Sequence, residues 1–132
     1  KDINNIFKLL LDENVEMVSM FTKLKDNSDL NNPNVVKVSI IDSIAKDFYR
    51  KEPSVDKKVY IHLGVYGFKL NTLKKIVKLP KSDNEISLKL EQMRAMDNNI
   101  LIHMIRSEAK IHLGIDTYED LKLANKLIGN DL

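Results

Sequence analysis

At 132 residues, with 43% hydrophobic and 30% charged side chains, the chain is long enough for one domain with a real core and has the make-up of an ordinary globular protein. It has no cysteine, which excludes disulfides, thiol catalysis and cysteine zinc sites, and no apolar run approaches the ~18 residues of a membrane span. A net charge of +2 on scattered lysines gives no nucleic-acid footprint, so the Lys74, Lys75, Lys78 and Lys81 group reads as a solvated helix face.

In chain order, Asp2 can cap a helix to about Asp12, with Ile3, Ile6, Phe7 and Leu10 at helical spacing. A strand follows over Val15–Thr22. The segment Lys25–Asn34 is a loop, Val35–Ile41 a buried β-branched strand with Lys37 its one charge, and Ala45–Arg50 a short third strand. Lys51–Lys58 is a polar loop and Tyr60–Lys69 a strand. Asn71 or Thr72 caps a short helix that Pro80 ends, and Asp83 or Asn84 caps one continuous helix to about Asp97. Ile100–Ile105 is a strand. The last helix runs from Thr117 to about Ile128, with Asp120 completing a capping box. Interleaved strands and helices predict an α/β fold with a mixed sheet and no internal domain boundary.

Two stretches have a face the core does not need. In the strand, Ile61, Leu63 and Val65 form the expected core side, while Tyr60, His62, Gly64, Tyr66 and Phe68 share the other. That second face either lines a concave polar site or is half-exposed strand with a satisfied histidine. On the predicted helix, Ile86, Leu90, Met93 and Asp97 share one side, and Leu88, Glu91, Gln92 and Ala95 lie roughly opposite. The mixed side fits a ligand pocket, a partner subunit or a surface helix with a stray leucine. Asp116 is either a helix cap or a hard-oxygen ligand of the kind Mg²⁺ takes, and a metal site would need a second carboxylate.

The blocks HLGVY (His62–Tyr66), LEQMR (Leu90–Arg94) and GIDTYEDL (Gly114–Leu121), with NNPNVVKV (Asn31–Val38) before them, resemble the C-terminal half of the CMP-Kdo synthetases, the 3-deoxy-manno-octulosonate cytidylyltransferases. The resemblance implies that residues 1–132 are a sugar-acid-binding and dimerising half, with a partial nucleotide-diphospho-sugar transferase-like (Rossmann-like) fold. It implies activation of the sugar acid Kdo by CTP, giving CMP-Kdo and pyrophosphate for lipopolysaccharide synthesis, in a cytoplasmic, Mg²⁺-dependent homodimer that engages neither nucleic acid nor membrane. Arg50, in DFYR, would meet the sugar-acid carboxylate. His62, Tyr66, Glu91 and Gln92 would hydrogen-bond the sugar hydroxyls, and Asp116 would be one of two Mg²⁺ ligands.

The departures from the family are equally specific. The nucleotide loop and the segment bearing the other metal aspartate are not found, the loop between Arg50 and Tyr60 is short, and KEP replaces the family's S-x-[IT]-P piece. The start, KDINNIF, has neither an initiator Met nor a signal-peptide pattern and reads as the middle of a gene product. The expectation is therefore an enzyme whose fragment alone gives no turnover. The alternatives are a non-catalytic remnant or dimeric scaffold, and a cytidylyltransferase for a related sugar acid.

Overall fold

The structure, a computed structural model, describes residues 1–25, 27–51, 53, 58–109, 114–115 and 117–129. The first helix, α1 (Asp2–Leu10), precedes strand β1 (Met17–Thr22), the short helix α2 (Asn27–Asn31) and strands β2 (Lys37–Ile41), β3 (Ile44–Tyr49) and β4 (Val59–Phe68). Then come α3 (Leu70–Ile76), α4 (Asp83–Leu88), α5 (Gln92–Asp97), β5 (Ile102–Arg106) and α6 (Tyr118–Gly129). The sheet is mixed, as expected: β1 and β5 run parallel and the other pairings are antiparallel. Its order, β1-β4-β2-β3-β5, closes into a small barrel rather than an open sheet. Closure rests on the β2–β3 turn, where Ser43 carbonyl accepts from Met104 N–H at 2.8 Å beside the Ile44–His103 pair. Among the described residues no helix is long and apolar enough to cross a membrane.

Alternation along the strands makes two cores. Met17, Val38, Phe48, Ile102 and Met104 pack with Leu90, Met93 and Ala95 from the α4–α5 region. On the other face, Val18 and Met20 pack beneath Ile6 of α1, with Val15 beside them. Strand β4 therefore differs from the expectation. Its His62 side, with Tyr60, Tyr66 and Phe68, meets the larger core, while Val65 on the supposed core side is exposed. Helix α1 reaches the sheet over Gly67, where a Cβ would lie 2.3 Å from Ile6 Cγ2 and 2.8 Å from Leu10 Cδ1.

The helical region after Pro80 also departs from the sequence pattern. Ser82, not Asp83 or Asn84, is the cap, its hydroxyl accepting from Glu85 N–H at 3.2 Å. The predicted single helix is broken at Lys89, which takes the left-handed conformation with φ 54°. That conformation costs a lysine about 1 kcal/mol. It is offset by burial of Leu90 and by the Glu85–Arg94 pair, two bonds of 2.6 and 2.8 Å that clip α4 to α5. Asp2 is likewise no cap. It is the first helical residue, and its carboxylate accepts from Glu108 N–H at 3.0 Å and from the Ser107 hydroxyl, tying α1 to the end of β5. Helix α3 starts at Leu70, ahead of the expected caps, and Thr72 donates instead to Glu16 at 3.1 Å. Helix α2 lies inside the segment expected to be loop; it buries no residue, so it left no apolar period to read.

Candidate functional site

Strand β4 carries a two-residue irregularity opposite Ser19. Ser19 pairs with Tyr66 and Met20 with Leu63, leaving Gly64 and Val65 without partners in the β1 ladder. The Ser19 hydroxyl sits in this gap, 3.0 Å from Val65 carbonyl, 3.3 Å from Leu63 carbonyl and 2.8 Å from His62 Nε2. A hydroxyl has one hydrogen to give. The carbonyls claim it, so the network assigns the Nε2 proton to His62, donating to Ser19, and leaves Nδ1 an acceptor. Burial pushes the His62 pKa down to about 4, so the ring is neutral at physiological pH. Phe48 meets it edge-on at 4.9 Å and Tyr66 lies 5.5 Å away.

A cleft of about 1000 Å³ opens beside this strand. His62, Gly64 and Tyr66 line it from β4, Leu90 and Gln92 from the α4–α5 break, and Asn32, Asn34 and Val36 from the approach to β2. Nothing lies within 4 Å of a Cβ built at Gly64, so that position leaves the cleft open. Burial first and the nearby Glu91 charge second raise the Tyr66 pKa, so its phenol stays protonated. Gln92 is buried, yet its carboxamide nitrogen finds no acceptor among the described residues. His103 Nδ1 is in the same condition but does not line the cleft. Buried polar atoms are nearly always paired, so an unpaired donor on a cleft wall marks a place where an acceptor belongs.

Three expected site residues, His62, Tyr66 and Gln92, thus meet at one cleft. Glu91 is exposed and joins them through its charge on Tyr66. Arg50 is not among the lining residues. Its guanidinium donates to Leu88 carbonyl at 2.6 Å, Lys89 carbonyl at 3.0 Å and Pro33 carbonyl at 3.1 Å, three of its five N–H bonds. Asp116 lies outside the described residues. Next to it, Thr117 and Asp120 form the expected capping box. Thr117 hydroxyl accepts from Asp120 N–H at 3.1 Å, and Asp120 carboxylate accepts from Thr117 N–H at 2.9 Å. Both line the cleft. Among the described residues no three His, Asp or Glu side chains converge, so they do not by themselves form a metal site. Sequence reasoning missed Ser19. The signal was a polar residue inside an apolar strand, in phase with Met17 and Phe21.

The fold is shared with a known protein. A solved structure of CMP:2-keto-3-deoxy-manno-octonic acid synthetase complexed with CTP matches with a TM-score of 0.88 over 99% of this chain and 56% of its own, at 24% identity. The fold is therefore that of part of this synthetase. Among curated proteins, the 3-deoxy-manno-octulosonate cytidylyltransferase of Christiangramia forsetii is 35% identical over 96% of the chain and 56% of its own length. That of Thermodesulfovibrio yellowstonii is 31% identical over 96% and 54%, and that of Elusimicrobium minutum 33% over 98% and 57%. No protein-family model matches the chain. The chain is a relative of the 3-deoxy-manno-octulosonate cytidylyltransferases, and it spans about half the length of the curated relatives it matches.

Proposed function

We propose that the chain is the sugar-acid-binding part of a 3-deoxy-manno-octulosonate cytidylyltransferase, a C-terminal portion of a larger Rossmann-like nucleotide-diphospho-sugar transferase fold. The observation that carries this reading is the Gln92 carboxamide nitrogen, without an acceptor among the described residues, in an open cleft shared with neutral His62 and protonated Tyr66. A polyhydroxylated acid presents what such a wall lacks: hydroxyl oxygens to accept from Gln92 and Tyr66, and a hydroxyl hydrogen for His62 Nδ1. None of these side chains carries charge, so they orient the sugar without repelling its carboxylate. Among the described residues Arg50 uses three of its five N–H bonds, and its part in binding that carboxylate rests on the resemblance.

In the whole protein the bound sugar's anomeric oxygen attacks the α-phosphorus of CTP. The new C–O–P link forms as the anomeric hydroxyl gives its proton to water, the bond from that phosphorus to the β-phosphate bridging oxygen breaks, and pyrophosphate leaves. This chain's share is to hold the sugar with its anomeric oxygen free and oriented. Asp116 as one Mg²⁺ ligand enters on the resemblance, supported by the capping at α6 falling to Thr117 and Asp120. A homodimer, a cytoplasmic setting and a role in lipopolysaccharide synthesis belong to the same reading. Full-length protein should release pyrophosphate from CTP only with 3-deoxy-manno-octulosonate and Mg²⁺ both present, and the 132-residue chain alone should release none. Equal turnover with neuraminate would overturn the substrate assignment.

A further inference from the structure

Among the described residues Lys37 is the largest side chain buried completely, and it ends in an amine. A buried ammonium is expensive, so it persists only where its hydrogen bonds are needed. Its Nζ donates to Arg50 carbonyl at 2.6 Å and to Asn32 carbonyl at 3.0 Å. Arg50 then extends the bracket through its guanidinium to Pro33, Leu88 and Lys89. Five carbonyl oxygens are held by two adjacent cations. They belong to three segments: the Asn32–Pro33 turn, the end of β3 and the break between α4 and α5. Two of these segments lead directly into the cleft. Asn32 and Asn34 are on one wall, and Leu90 and Gln92, just past the break, are on another.

The chain gives each link a local reason. Lys37 starts β2 opposite Tyr49 of β3, which puts Arg50 carbonyl one residue beyond the pair. Left-handed Lys89 ends α4, and the carbonyls of Leu88 and Lys89 are the ones Arg50 takes. An apolar residue at position 37 would satisfy the core at lower desolvation cost but would release Asn32 and Arg50 together.

We infer that Lys37 is a positioning residue: its buried ammonium fixes where the Arg50 guanidinium lies and how far apart the Asn32–Val36 and Leu90–Gln92 walls of the cleft stand. This rests on the sugar-acid reading above, and it adds a residue that touches no ligand.

The test titrates the 132-residue chain with 3-deoxy-manno-octulosonate and with its methyl ester, which lacks the carboxylate charge, while amide resonances are followed. Wild type should prefer the acid by roughly tenfold. Lys37→Met, with a folded amide spectrum, should bind both compounds within about twofold of each other, with shift changes at residues 32–36 and 88–92. Lys37→Arg, which keeps donors and charge, should retain part of the preference. A folded Lys37→Met that keeps the full preference overturns the inference. Should Lys37→Met not fold, Lys37→Gln is read against the same criteria. If wild type binds neither compound, the sugar-acid reading fails by itself. Positioning is then judged on the amide shifts: changes at both walls support it, and changes confined to β2 and its strand neighbours overturn it.

Discussion

Gln92 and His62 are polar groups in buried places, and the fold treats them oppositely. His62 is paired with Ser19 and held neutral by burial. Among the described residues Gln92 Nε2 has no acceptor, a condition that costs about 1–3 kcal/mol. A protein keeps such a cost where a ligand removes it. The His62 pKa gives a signed prediction. The unfolded ring takes its proton near pH 6.5 and the folded ring only near 4, so the unfolded chain binds more protons between these values. Stability from His62 is fully present above about pH 6.5 and is lost as pH falls toward 4, by up to about 3 kcal/mol. Thermal melts should fall across that window in wild type, and His62→Gln should flatten the part above pH 4.5. An unchanged slope in the variant would show that another group carries it.

At the scale of elements, two glycines of β4 separate packing from function. Gly67→Ala puts a methyl into Ile6 and Leu10, so α1 must lift, and about 1–3 kcal/mol of stability should go. Gly64→Ala meets nothing within 4 Å and should leave the melting temperature nearly unchanged while narrowing the cleft and weakening binding. Denaturant melts and ligand titration of the two variants check the contrast. Much of this was legible in the sequence: every strand lies where its apolar run is, and the Thr117–Asp120 box forms as spelled. The face pairing His62 with Tyr66 was legible too, because alternation survives an irregularity that adds two residues. The α4–α5 break was not. Its cause is the long-range clip of Glu85 to Arg94 and the docking of Arg50, and neither leaves a period in the local sequence. The greater burial of the His62 side was equally hidden, since it depends on α5 supplying Met93 and Ala95 from thirty residues away.

For the molecule as a whole, half of a larger fold would be expected to expose a bare strand edge. The barrel answers this within the chain. Among the described residues each of the five strands has two neighbours, the last gap being closed by the Asp42–Ser43 turn, whose residues both take positive φ. The central claim is that this closed unit holds a sugar acid in the cleft of His62, Tyr66 and Gln92. The most direct measurement is calorimetric titration of 3-deoxy-manno-octulosonate into the 132-residue chain and into Gln92→Leu, with a thermal melt of each. The account predicts saturable binding by wild type, binding weakened roughly tenfold or more by Gln92→Leu, and a variant that melts at or above the wild-type temperature, because the unpaired donor is gone. Equal binding by the two proteins, or no binding by either, would contradict it.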